Sequence, residues 1–382
     1  MAIVKLGDVA REYKETLKDV EGLPIVGLEH LTPGEIELEN WDEGKDNTFT
    51  KGFKQGHVLF GRRRAYLKKA ALAPFRGVCS GDITVIEAIP QKILPELLPF
   101  IIQNDALFDY AVGQSAGSLS PRVKWEQLKN YEFSLPELPE QNILLELLQS
   151  AYDTKRAYQK LIVQTDELVK SQFIEMFGGE GRERKPLIEC SKRVTDYVAS
   201  GSFASLKENV KMSKDEDYAL MVKTADFANG FTKDLTYTDK HGYDFLRNSN
   251  LYGGELILSN IGSIGKVFIV PKIEKPMTLA SNAILVEPSD EFDVGYLYHY
   301  FTGIDGQSAL FSLASGTTLM KFNKTQLKTV PIPVATKDEQ KRFMALAEQS
   351  DKSKFELQQA IENINQLIRS LIEGNYEAKE EA

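Results

Sequence analysis

Cysteine is nearly missing from this sequence, with only Cys79 and Cys190 among 382 residues. Two thiols cannot build a disulfide framework, so each folded unit must rest on a hydrophobic core. No charged start followed by an apolar run marks a signal peptide, and no apolar stretch approaches the ~18 residues needed to cross a bilayer. A cytoplasmic protein is the simplest expectation. Pro-Pro occurs nowhere, which removes the Asn/Asp-Pro-Pro-aromatic loop with which an adenine methyltransferase holds a flipped base. A Gly-rich phosphate loop ending in Lys-Ser/Thr is also missing, so a motor is excluded. The four histidines and two cysteines lie far apart without ligand spacing. Glu-x-Lys triplets occur at Glu12-Tyr13-Lys14 and Glu339-Gln340-Lys341, but such triplets are frequent by chance in a charged chain. The chain is expected to catalyse nothing, with no metal and no cofactor of its own.

A basic excess is missing too. Net charge is −9, residues 181–338 carry as many acidic as basic groups, and the remaining segments are acidic. A stand-alone DNA binder ordinarily gains its affinity from counterion release by a basic surface. Any nucleic acid bound here must meet local patches, or partner subunits must supply the rest of the positive field.

What the sequence does have is a long internal echo. "AGSLSPRVKWEQLKNYEFSLP" from Ala116 returns 199 positions later as "SGTTLMKFNKTQLKTVPIPVA" from Ser315. At the same offset Glu140-Gln141 meets Glu339-Gln340, Leu147 meets Leu346 and Leu168 meets Leu367. Upstream, with small gaps, "GHVLFGRRR" from Gly56 lies over "GELILSNIG" from Gly254, and "SGDITVIE" over "SNAILVE". The chain is two diverged copies of one unit.

Each copy opens with β-type runs punctuated by Gly, Pro and Asn, continues through a short apolar helix ("LPELLPFIIQ", "VGYLYHYFTG"), and then enters a long stretch with no internal Gly. The expected organisation is a first globular domain at 1–139, a long helix at 140–180, a second domain at 181–337, a second long helix at 338–375 and a charged tail at 376–382. Apolar residues at alternating three and four spacing mark a coiled-coil seam through Leu147, Ala151, Tyr158, Leu161 and Leu168, and through Leu346, Ser350, Leu357, Ile361, Ile364 and Ile368. A helix of about 36 residues is about 54 Å long. Parallel pairing would force the second domain to carry the chain back that whole length, so antiparallel pairing is expected, with an approximate two-fold axis. The fold class is therefore α+β: two repeated mixed α/β domains joined by two long antiparallel coiled-coil helices. Two related domains at fixed separation suit a duplex DNA site in two halves, with an unread spacer.

The motifs in this order resemble a specificity subunit of a type I restriction-modification system. The residues carrying the likeness are "GLEH" at Gly27–His30, "GHVLFGRRRAYLKKAAL" from Gly56, "GVCSGDITVIE" from Gly77, "GELILSNIGSIGKVFIVP" from Gly254, "ASNAILVE" from Ala280 and "SGTTLMKFNKTQLKTVPIPV…EQ" from Ser315. The resemblance covers nearly the full length. It implies two target recognition domains that each read one half-site of double-stranded DNA, and helices that dock two DNA methyltransferase subunits, with restriction/translocase subunits joining that core. S-adenosylmethionine would belong to the partner methyltransferase subunits. The copies depart from one another around Lys211–Tyr252, as different half-sites would require.

In the first copy the densest basic patch is Arg62, Arg63, Arg64, Lys68 and Lys69, where arginine can fork onto phosphate or guanine and lysine can serve as a point charge. The bland reading is a solvated strand end. The second copy offers Asn260, Ser263 and Lys266 at the same place, with Lys211, Lys214 and Lys223 upstream. Ser120-Pro121 and Asn323 read as helix starts whose N–H groups, with Arg122, Lys124, Lys321 and Lys324, could grip phosphate; a structural cap is the plain alternative. The family likeness also places Glu29 and His30 near DNA. The acidic run "GEIELENWDEGKDN" reads as a solvated surface turned away from the duplex. A degenerate modification enzyme, and a non-catalytic coiled-coil adaptor or acidic DNA mimic, remain the competing readings.

Overall fold

The computed structural model describes residues 2–43, 48–316 and 319–374. The expected tail at 376–382, position 375, residues 44–47 of the acidic run and Thr317–Thr318 of the repeated loop lie outside the described residues. The chain divides into two compact units, Met1–Lys160 with Leu357–Ala382, and Leu161–Glu356. Each unit therefore holds one globular lobe, the near half of one long helix and the far half of the other.

The duplication is visible strand by strand. In the first unit a four-stranded antiparallel sheet runs in the order Ala10–Glu12, Ile83–Ala88, Val58–Gly61, Ala70–Leu72. In the second, the order is Ser191–Asp196, Ala283–Pro288, Leu256–Ser259, Val267–Ile269. The central strands read as near-continuous apolar runs because both faces are covered, and Val58–Gly61 and Leu256–Ser259 are buried at every position. Each lobe adds a smaller sheet built on a parallel pair: Ile25–Val26 beside Gly77–Cys79 in the first, and Ala219–Val222 beside Met277–Leu279 in the second. An antiparallel third strand follows in both, Lys51–Phe53 and Asn250–Leu251, and the second copy alone adds a fourth strand, Tyr237–Thr238, and the helices Phe203–Asn209 and Lys240–Phe245. The added strand and the helix Lys240–Phe245 lie in the stretch where the two sequences part, and Phe203–Asn209 just precedes it. Each copy is closed by a strand pair joining its beginning to its end, Ala2–Lys5 with Glu132–Leu135 and Arg184–Pro186 with Pro331–Pro333.

The long helices span Leu138–Phe177 and Lys337–Glu373. The first starts before Pro139 because a proline in the first turn lacks only an N–H that has no intrahelical partner there. In the second unit Phe343 packs on Phe173 and Phe177 at ring-centroid distances of 5.1 and 5.7 Å, while Lys354 reaches Asp166 at 2.6 Å. Rising numbers on one helix meet falling numbers on the other, so the segments are antiparallel. In the first unit Leu144, Leu148 and Tyr152 share a core with Leu371, Ile372 and the half-buried Ile368.

The buried stripe of the first helix is rotated by one position from the expected seam. Leu147, Leu161 and Leu168 are 45, 45 and 52% exposed, whereas Leu144, Leu148, Ala151, Tyr152, Val169, Phe173 and Phe177 are buried. The helix packs against its lobes as well as its partner helix, so the lobe cores, and not a 3.5-residue repeat, choose the inward face. Of the other seam positions, Ser350 is buried, and Tyr158, Leu346, Leu357, Ile361, Ile364 and Ile368 are half-buried.

The acidic run is only partly the solvated surface expected. Ile36 and Leu38 are buried, and the Ile36 N–H donates to the Tyr152 hydroxyl at 2.9 Å, which in turn donates to Glu35. Glu37 and Glu39 both pair with Arg156. Alternation explains it: apolar positions 36 and 38 face the lobe core, and the intervening carboxylates meet a cation on the long helix.

Each long helix is fastened to its lobe by a glutamine of the repeat. Gln141 is 1% exposed; its carbonyl oxygen accepts from Leu94 N–H at 2.9 Å, and its amide donates to Lys92 O at 3.2 Å and Pro136 O at 3.0 Å. Gln340 repeats the arrangement with Asp293 N–H at 2.7 Å and with Glu291 O and Ala335 O, both at 2.9 Å. Beside it, Glu339 accepts two guanidinium bonds from Arg182, at 3.0 and 2.8 Å, and caps the helix through Thr336. The Arg182 bonds first, and the Thr336 N–H next, pull its carboxyl from 4.5 to about 2. That interaction is present above the unfolded value and is lost as pH falls through the folded one. Urea titrations should therefore show Glu339→Gln less stable than the parent at neutral pH, with the two curves converging between pH 4.5 and 2; parallel curves would refute the assignment.

Candidate nucleic-acid interface

In the first lobe the strand Val58–Gly61 ends at a glycine because the backbone there is crowded. A Cβ on Gly61 would sit 3.0 Å from Lys69 O and 3.1 Å from Leu28 Cδ2. The chain then runs through Arg62–Arg64 opposite the loop 120–123. Val123 N–H donates to Arg62 O at 3.0 Å, Arg64 N–H donates to Pro121 O at 2.8 Å, and Arg63 faces Arg122 directly. Arg62 N–H also donates to Asp82 O at 3.0 Å, which ties in the Ser80–Asp82 turn. Ser80 N–H donates to Val26 O at 2.9 Å, bringing up the strand end that leads into Gly27–His30. Lys69 Nζ donates to Leu28 O at 2.7 Å in the same corner. Four chain segments thus meet along one rim.

Side chains on the rim divide into those held and those offered. Arg122 lays Nε on Asp82 Oδ1 at 2.7 Å and a terminal nitrogen on Oδ2 at 3.4 Å, while Arg63 reaches Asp82 Oδ2 at 3.3 Å and Ser120 Oγ at 2.6 Å. Burial opposes ionisation of Asp82, but the hydrogen bonds and charges of Arg122 and then Arg63 outweigh it and hold the carboxyl below its ordinary value. Arg64, in the left-handed region at φ 54°, is exposed, and so is Lys124. Lys68, at φ 52°, is tied to Asp105 at 2.5 Å. His30 is part of a turn: its Nδ1 accepts from Gly27 N–H at 2.9 Å and its Nε2 lies 3.6 Å from Asp42. Glu29 is exposed, with its carboxylate over Gly27, where a Cβ would stand 2.2 Å from Oε1.

The second lobe builds the same rim with other side chains. Ile261 faces Lys321 and Ser315 faces Lys321, as Arg63 faces Arg122 and Ala116 faces Arg122 in the first. Asn282, at φ 70°, stands in the turn where the first lobe has Asp82, and its carbonyl accepts from Asn260 N–H at 3.3 Å. The Asn260 amide donates to Phe322 O at 3.0 Å. Ser263, Lys266, Lys321 and Lys211 are exposed. Lys214 and Lys223 both donate to Asp234 O, at 3.2 and 2.8 Å, and so brace the segment that leads into the added strand Tyr237–Thr238. Lys324 pairs with Asp196 at 2.9 Å.

Of the two expected helix starts, Asn323 is one: its side chain accepts from Gln326 N–H at 2.9 Å. Ser120-Pro121 is not. The helix of the first copy is Trp125–Leu128, capped at Lys124, because the Lys124–Gln127 backbone-to-side-chain bond at 2.9 Å closes the turn there, while Ser120 serves Arg63. Sequence reading did not single out Asp82; a Gly-Asp turn is an ordinary signal, and its two arginines come from 19 and 40 residues away. Among the described residues no group of His, Cys, Asp and Glu could hold a metal ion, and no helix is long and apolar enough to cross a membrane.

A chain made of two copies of one α+β lobe, each with a polar rim of four segments and a share of two long antiparallel helices, defines a duplicated recognition protein. The chain belongs to the type I restriction modification DNA specificity domain family, whose model matches residues 1–164 and 201–366. It is similar to the type I restriction enzyme EcoDI specificity subunit of Escherichia coli, 24% identical over 194 residues, covering 47% of this chain. The aligned part is 41% of that relative's own length. Among solved structures, a chain from a type I R-M system studied for its complex assembly and conformational transition matches with TM-score 0.60 at 17% identity, covering 97% of this chain and 96% of that one. The HsdS subunit from Thermoanaerobacter tengcongensis aligns over 98% of this chain and 97% of its own, with TM-score 0.42 and 18% identity.

Proposed function

We propose that this chain is the sequence-specific DNA-recognition subunit of a type I restriction-modification complex. Residues 1–139 and 181–337 act as the two target recognition domains, and the long helices Leu138–Phe177 and Lys337–Glu373 join them. Each rim reads one half of a bipartite, asymmetric site across a fixed spacer. The observation that carries this reading is the repetition of one rim with different side chains, Arg63, Asp82 and Arg122 in one lobe against Ile261, Asn282 and Lys321 in the other. A shared scaffold with divergent readers is what an asymmetric site requires.

The chain scaffolds two methyltransferase subunits and the restriction subunits in the cytoplasm and is itself non-catalytic, with S-adenosylmethionine bound by the methyltransferases. Support for docking comes from Ile143, Leu147, Leu161 and Leu168, apolar yet exposed along the first long helix. Partner subunits also answer the charge problem, since a chain of net charge −9 needs additional positive field to hold DNA. Methylome sequencing of a host carrying the chain with its methyltransferase subunits should yield two short motifs separated by a constant gap. Adding seven residues to both long helices should lengthen each by about 10.5 Å and widen that gap by about three base pairs. An unmethylated genome would favour the adaptor or DNA-mimic reading, and an unchanged gap would refute the fixed spacer.

A further inference from the structure

The Arg63–Asp82–Arg122 cluster uses an acid where a DNA-binding rim should want none. Two guanidiniums share one carboxylate, which leaves a net charge of about +1 where two free arginines would give +2. Asp82 is also poorly solvated, its side chain 19% exposed, while Arg63 and Arg122 are 38 and 43% exposed. The acid is therefore beneath and the arginines above. Arg122 spends its Nε edge on Asp82 and has its other terminal nitrogen 3.5 Å from Ser120 O, and Arg63 spends Nε on Ser120 and one terminal nitrogen on Asp82. A guanidinium has five N–H donors, so each arginine keeps N–H groups that these bonds do not use, and the bonds fix the plane that carries them.

We propose that Asp82 is a specificity-determining positioning residue, holding Arg63 and Arg122 as a preset pair of readers for guanine edges in the first half-site and denying them to phosphate. The inference rests on the function proposed above. Its physical basis is a difference between two targets. A phosphate is a charged, geometrically tolerant acceptor and is repelled by a carboxylate beside the arginines. The O6 and N7 of guanine are neutral acceptors that demand a particular orientation and gain from arginines already fixed in place. A carboxylate beneath the arginines thus lowers sequence-independent attraction while it preserves base readout. The second lobe provides an internal control, because Ile261, Asn282 and Lys321 at the same places carry a single cation and no acid.

The test uses the full chain assembled with its methyltransferase subunits, and duplexes carrying the wild-type motif with substitutions in either half. Asp82→Asn should reduce discrimination at the first half-site about tenfold, leave the second half-site unchanged, and steepen the salt dependence of binding to unrelated duplex by about one unit of slope as an arginine becomes free for phosphate. Arg122→Lys keeps the charge but removes the two-bond edge, and it should relax the same half-site; thermal melting of both variants controls for folding. Full discrimination in both variants, or equal losses in both half-sites, would overturn the inference while leaving the proposed function standing. Absence of sequence-dependent binding by the unaltered complex would instead remove the proposed function itself.

Discussion

Gln340→Leu should destabilise the second unit by roughly 3–9 kcal/mol, although the side chains are similar in size. The glutamine fills all of its hydrogen-bonding capacity but one lone pair with backbone groups: Asp293 N–H donates to it, and Glu291 O and Ala335 O accept from it. At 1% exposure no water replaces these bonds when leucine arrives. Each stranded buried group costs about 1–3 kcal/mol, which is more than an average hydrogen bond contributes, because the desolvation penalty remains after the partner has gone. Three such groups give the range stated. Gln141→Leu should do the same in the first unit through Leu94, Lys92 and Pro136. Amide hydrogen exchange would show the damage locally, as early loss of protection at Asp293 and along Val294–Thr302. Urea unfolding that moves by less than 1 kcal/mol would show that these glutamines are not the fasteners of helix to lobe.

Phe343→Ala is the second large effect, expected at about 3–5 kcal/mol. Its ring is fully buried and meets Phe173, Phe177 and His299 edge-on at centroid distances of 5.1, 5.7 and 5.1 Å. Those partners come from the first long helix and from the lobe helix Val294–Thr302, so one truncation on the second long helix opens a cavity where three elements converge. For a unit of about 200 residues this corresponds to a drop in melting temperature of roughly 6–20 °C. The exposed Phe355, on the same helix, is 61% accessible and should shift the melting temperature by less than 2 °C when cut to alanine. A small change for Phe343, or equal changes for both, would show that the aromatic junction is not what holds the helices to the second lobe.

The repeated Glu-Gln pair was legible as a repeat, but not as a fastener. Nothing in the residues around Gln141 or Gln340 announces that carbonyls and N–H groups some fifty residues upstream will arrive unpaired at that point. The long helices were legible for a simpler reason: helix formation depends on neighbours within a turn, and stretches free of interior glycine carry their own signal. Their inward face was less so. Leu147, Leu161 and Leu168 satisfy the heptad pattern and lie outside, because Leu144, Leu148 and Tyr152 are claimed by the first lobe and Phe173 and Phe177 by the second.

The recognition rim shows the same division. Basic residues at 62–64 and 122 were visible in the sequence, yet their roles depend on Asp82 and Ser120, which meet them only when the strand end, the turn and the closing loop converge. Conversely, Asn260, Lys214, Lys223 and Lys324 looked available and are engaged in bonds that brace their own lobe. What the sequence by itself determined is the duplication, the α+β class, the two long helices and the missing catalytic motifs, since all of these are written in local periodicity and in comparison of the chain with itself. Which face of each helix turns inward, and which charged groups stay free for a partner, was decided only by tertiary structure. Burial and pairing energies depend on distances between residues remote in the chain, and no local pattern encodes those.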